Sequence, residues 1–77
     1  MSNKAVSFDH SKLRGLMVEK HGSVRKFASV SNFSETTLNK KLNNHSYFSL
    51  PEVYSISEIL GISSENIGLY FFTKKVQ

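Results

Sequence analysis

The sequence predicts an all-α domain, a compact bundle of about five short helices. Three observations carry that expectation. Apolar residues recur at helical spacing, as at Leu13, Leu16 and Met17 and again at Val53, Ile56 and Leu60. Each periodic run follows a serine or an acid and ends at glycine or asparagine, the residue types that start and stop helices. And 77 residues without a cysteine make one domain near the lower size limit, so every helix must share one hydrophobic centre.

Residues 1–7 lack periodicity and are expected to be a loose tail, with 8–77 forming the domain. The first helix is expected over about 9–20, with Asp9 at the positive end of its dipole and Lys20 at the negative end. Gly22 suits its stop, because it enters the left-handed region without a Cβ penalty. Ser23 caps a second helix, about 24–30, that turns Phe27 and Ala28 inward. Asn32, in the Ser31-Asn32 corner, tolerates left-handed dihedrals, and Phe33 plugs the core beneath it. Ser34 then caps a third helix, 35–42, its hydroxyl facing the amide of Thr36 or Thr37. On that helix Leu38 and Leu42 share the inner face, while Thr36, Thr37 and Lys40 lie opposite, extended by Asn43 and Asn44. Asn43-Asn44-His45-Ser46 reads as a polar loop. Ser49, Pro51 and Glu52 spell a capping box with proline in the first turn, opening a fourth helix that runs to about 60 and closes at Gly61. A short fifth helix is expected over about 65–70. Residues 69–77 continue it or pass into an extended segment, and the sequence leaves both open.

Charge is unevenly placed. The net charge is +4, yet residues 1–50 hold eight basic residues against Asp9, Glu19 and Glu35, a local excess of +5. Residues 51–77 hold Lys74 and Lys75 against Glu52, Glu58 and Glu65. A basic front half beside a near-neutral back half suits a polyanion-facing side and a separate association side. No apolar run approaches the roughly 20 residues that span a bilayer, and the N-terminus has no apolar signal core, so the expectation is a cytoplasmic protein. His10, His21 and His45 lack ligand spacing, so no metal is expected. The carboxylates are scattered, and no Gly-x-Ser-x-Gly elbow or Ser-x-x-Lys arrangement accompanies the serines. No enzyme, no cofactor and no small-molecule substrate is expected.

The spacing Ala28, Asn32, Ser34, Leu38 resembles the helix-turn-helix of small phage repressors of the Cro and CI type. The run Phe48-Ser-Leu-Pro-Glu-Val-Tyr-Ser-Ile-Ser-Glu-Ile-Leu-Gly-Ile62 resembles the helix that follows it in the same proteins. The likeness covers about residues 9–67 and implies a lambda-repressor-like DNA-binding domain with its helix-turn-helix at 24–42. Two positions depart from the family pattern: Val24 stands where most members carry a phosphate-contacting Gln, and Asn32 replaces the commoner Gly. The resemblance implies base contacts from Glu35, Thr36 and Lys40. Their chemistry agrees, since Lys donates to guanine, Thr offers a methyl to thymine, and Glu accepts from cytosine. Thr37 and Asn43 are secondary readers. Phosphate contacts fall to the free amides near Ser23 and Val24, with Arg25, Lys26 and Asn44.

Two functions follow. The first is a Cro-like transcriptional regulator that reads a double-stranded operator as a homodimer, with helix 35–42 in the major groove and the two copies about 34 Å apart. The alternative is a protein-binding modulator on the same scaffold, an antirepressor or co-repressor that grips a phage repressor. Three features motivate it: the missing Gln at Val24, the acid at Glu35 on the presumed DNA face, and the aromatic tail, whose Tyr70, Phe71 and Phe72 either close the bottom of the bundle or offer a protein interface, with Phe71 and Phe72 pointing different ways. An antitoxin-type regulator is a third reading.

Overall fold

A computed structural model describes residues 6–76. It has five helices: α1 (Ser11–His21), α2 (Val24–Ser31), α3 (Glu35–Leu42), α4 (Leu50–Leu60) and α5 (Ile67–Phe71), with a 3-10 turn at Ser64–Asn66 leading into α5. The described residues contain no strand, only an isolated antiparallel bridge between Phe8 and Lys74. The expected all-α bundle of five short helices is the fold.

Local chemistry sets the helix boundaries. The Ser23 hydroxyl accepts from the Lys26 amide, and that of Ser34 from the Thr37 amide, each at 3.0 Å. At α4 the full capping box is made, with the Ser49 amide donating to Glu52 at 2.8 Å and the Glu52 amide donating to the Ser49 hydroxyl. These bonds satisfy amides that a helix start leaves without an acceptor. Asn32 takes the left-handed corner at φ 67°, and Gly61 ends α4 at φ 73°.

All five helices share one core. Leu13 and Met17 of α1, Phe27 and Ala28 of α2, Leu38 and Leu42 of α3, and Val53, Ile56 and Leu60 of α4 meet there, closed by Ile62 and Phe71. Leu16, Val24 and Phe33 pack at its margin.

Some boundaries and assignments differ from expectation. Helix α1 starts at Ser11, because the Asp9 amide is drawn to the Thr73 carbonyl at 2.8 Å and the chain there runs against the C-terminal segment. The Asp9 carboxylate still serves the helix start by accepting from the Ser11 amide. The tail does both things the sequence left open: it is helical to Phe71, and Thr73–Lys75 then lie against residues 7–9. Phe71, expected at a protein interface, is 1% exposed and belongs to the core. Its ring meets Phe48 edge-on at 5.4 Å, so the turn of α5 drives it inward and leaves its neighbour Phe72 outside. Of the expected loose tail, residues 1–5 lie outside the described residues. Val6 and Ser7 are tied in, the first by the Tyr47 hydroxyl and the second by the Lys75 amide.

Candidate functional site

The site is the outer face of α3 and the ground around it. Leu38 and Leu42 are buried at 0% and 4% and fix the rotation of the helix. That rotation turns Glu35, Thr36, Thr37 and Lys40 to solvent, and Asn43 continues the face beyond the last turn. The five expected base readers therefore share one exposed surface. They are not equally free. The Ser34 hydroxyl donates to Thr37 Oγ1 at 2.9 Å, so the Thr37 side chain is part of the cap. The Asn43 side chain accepts from the Arg14 guanidinium at 3.2 Å. Thr36 and Lys40 remain the open polar side chains of the face, with Glu35 at its head, where its charge favours the helix dipole and opposes an approaching phosphate.

The expected phosphate group is divided. Arg25 and Lys26 are exposed on the first turn of α2, beside amides that a helix start leaves free. Ser23 and Val24 are half-buried; Ser23 is the cap and Val24 packs on the core. Asn44 is engaged elsewhere. It sits at φ 66° as the left-handed residue ending α3, where its own amide and that of His45 return to the carbonyls of Lys41 and Lys40. Its carboxamide meets both backbone groups of Phe8, accepting from the amide at 2.8 Å and donating to the carbonyl at 2.9 Å. The exit of α3 is thereby fastened to the N-terminal segment.

Sequence reasoning missed three residues that shape this ground. Arg14 reaches from α1 to Asn43 and adds a cation beside the end of α3, lining with Lys75 a surface cavity of about 500 Å³. Lys41 pairs with Glu52 at 3.1 Å and donates to the Tyr47 carbonyl, pinning α3 to α4. His10 is buried with Nδ1 3.2 Å from the Leu42 carbonyl and its ring edge-on to Phe48. Arg14 carried one signal, its place on α1 away from the leucine stripe. Lys41 acts across the loop between α3 and α4, and His10 through a contact 32 residues away, and no local pattern announces either. No group of three His, Cys, Asp or Glu able to hold a metal occurs among the described residues, and no helix among them is long and apolar enough to cross a membrane.

Of the expected interface residues, Phe72 is 46% exposed, Tyr70 is half-buried against the core, and Phe71 is internal. Phe72 packs edge-on to Phe8 at 5.7 Å, and Phe8 to Tyr47 at 6.1 Å, making an aromatic end on the molecule.

The comparisons with known proteins extend over nearly the whole of this arrangement. The solution structure of the modulator of repression (MOR) of the temperate bacteriophage TP901-1 from Lactococcus lactis is similar at a TM-score of 0.78 and 34% identity. The match covers 92% of this chain and 96% of that one. No curated protein matches the chain. The family model described as "Protein of unknown function (DUF739)" matches residues 6–74. The chain belongs to the DUF739 family.

Proposed function

We propose that this chain is a non-catalytic phage regulator that modulates repression by binding a phage repressor in the cytoplasm of the bacterial host. The observation that carries this reading is the likeness, along nearly the full length of both chains, to a phage modulator of repression. The site is in keeping with it. Glu35 places a carboxylate at the head of the exposed α3 face, and Val24 packs inward where a Cro-type repressor presents a phosphate-binding Gln. The test is calorimetric titration of the purified chain into a phage repressor from the same genome. A saturable complex is the expected result, and absence of heat and of co-elution on gel filtration would refute the reading.

A second reading keeps one specific support, the capped α3 with Thr36 and Lys40 free on its outer face. On that reading the chain itself reads an operator as a homodimer. Selection from a randomised duplex library with the chain alone tests it. Enrichment of a two-fold symmetric motif, lost in Lys40→Ala, would favour it, whereas salt-sensitive background binding would leave the modulator reading in place.

A further inference from the structure

The surface cavity beside the exit of α3, about 500 Å³, is lined by two cations that the fold brings together from α1 and from the C-terminal segment, Arg14 and Lys75. The Arg14 guanidinium is half-buried. It donates to the Asn43 side chain at 3.2 Å and makes no ion pair among the described residues. A guanidinium carries five N–H donors in a planar fork, so most of them stay open. Lys75 also makes no ion pair among the described residues. Asp9 is the one acid that lines the cavity, and its carboxylate already accepts from the Ser11 amide at 2.9 Å. The wall is therefore net positive and holds unused donors. Gly15 is a second, independent mark on the same wall. It stands inside α1, where glycine costs helix stability relative to alanine. A Cβ there would meet no atom of the chain within 4 Å, so internal packing does not require its absence. What the missing side chain leaves is bare backbone, which a ligand can approach closely.

We propose that this cavity takes a phosphodiester group of a DNA backbone. The proposal rests on the second reading above, in which α3 faces a duplex, and adds to it a backbone contact made outside α3. Position selects the occupant. Asn43 belongs both to the outer face of α3 and to the cavity wall, so the cavity opens where that face ends. A sugar–phosphate strand bordering a groove that holds α3 passes the end of the helix. Chemistry agrees with position. A guanidinium fork matches two phosphate oxygens, and an ammonium beside it adds charge. Such a contact carries no sequence information; it fixes register and orientation on the duplex. It also supplies anchorage on the side of α3 opposite in sequence to α2, where Val24 packs inward and offers none.

The test uses the full chain and a fluorescently labelled duplex of about 20 base pairs and arbitrary sequence, with binding read by anisotropy between about 50 and 200 mM salt. Arg14→Gln should weaken binding to every duplex alike and lower the slope of log K against log salt by about 1, and Arg14→Gln with Lys75→Gln by about 2. Lys20→Gln removes an ammonium that lies beside Gly61 at the far end of α1, and should leave the slope as in the wild type. Gly15→Leu keeps every charge and should melt no lower than the wild type, yet weaken binding about tenfold by filling the cavity. An equal loss of slope in Lys20→Gln would make the attraction a property of the diffuse field and overturn the cavity assignment, while leaving the second reading in place. Wild-type affinity in Gly15→Leu would do the same. A wild-type chain that binds no duplex at low salt would refute the second reading and the cavity assignment together. Inorganic phosphate is the remaining arm. If it shifts the nuclear magnetic resonances of Arg14 and Gly15 saturably while no duplex binds, the source is a free anion and the DNA assignment is overturned.

Discussion

Asn44 shows how much one side chain can hold. It ends α3 in the left-handed region and clamps both backbone groups of Phe8. Replacing it with Ala removes two hydrogen bonds worth about 1 kcal/mol each and puts in the left-handed region a residue that tolerates it less well than Asn. Asn44→Ala is therefore expected to lower stability by about 2–3 kcal/mol in urea denaturation. Asn44→Gly should recover the strain but not the clamp, and equal losses in the two variants would show that the Phe8 bonds carry the whole effect. The same residue marks the limit of what local reading reveals. Ser23, Ser34, Ser49 and Asn32 were legible because a cap or corner acts on amides within three or four residues. The partners of Asn44, His10 and Arg14 lie 36, 32 and 29 residues away, so the fold had to exist before their roles did.

At the scale of elements, the start of α4 is both a cap and a joint. Glu52 accepts from the Ser49 amide and pairs with Lys41 at the end of α3. Burial pushes the Glu52 carboxyl up, but the Ser49 amide and the Lys41 ammonium outweigh it and hold it below its ordinary value. A carboxyl lowered on folding stabilises above its unfolded value, and that contribution is lost as pH falls through the folded one. Glu52→Gln keeps an acceptor for the Ser49 amide but loses the charge that faces Lys41 and the helix dipole, and should therefore destabilise at pH 7 by about 0.5–1 kcal/mol. The gap from wild type should close as pH falls below the ordinary glutamate range and through the lowered folded value, as both proteins come to carry a neutral side chain. Thermal melts across pH 3–7 measure it, and a gap that persists at pH 3 would assign the loss to packing. The capping box was plain in the sequence; its pairing with Lys41 was not, because Lys41 reads locally as one more cation on a basic helix. The α5 region was the least legible element. Five helical residues following a 3-10 turn are too few for periodicity to speak, and continuous apolar residues give no phase.

The whole molecule is small enough that single contacts decide whether it folds. A domain near this size gains only about 3–5 kcal/mol from its core beyond the entropy it opposes. Phe71 sits where the N-terminal segment, the 45–48 loop and α5 converge, at 1% exposure, edge-on to Phe48 and 6.4 Å from the Phe72 ring. Truncating a buried Phe to Ala costs about 3–5 kcal/mol, as large as that whole margin. Phe72, 46% exposed, loses part of one face against Phe8 and keeps the rest in water throughout. Phe71→Ala is thus expected to abolish cooperative melting near 25 °C, and Phe72→Ala to shift the midpoint by only a few degrees. Differential scanning calorimetry of the two variants separates these adjacent residues. If the outcomes were reversed, the ring closing the core would be Phe72, and Phe71 would return to the interface that its neighbours in sequence suggest.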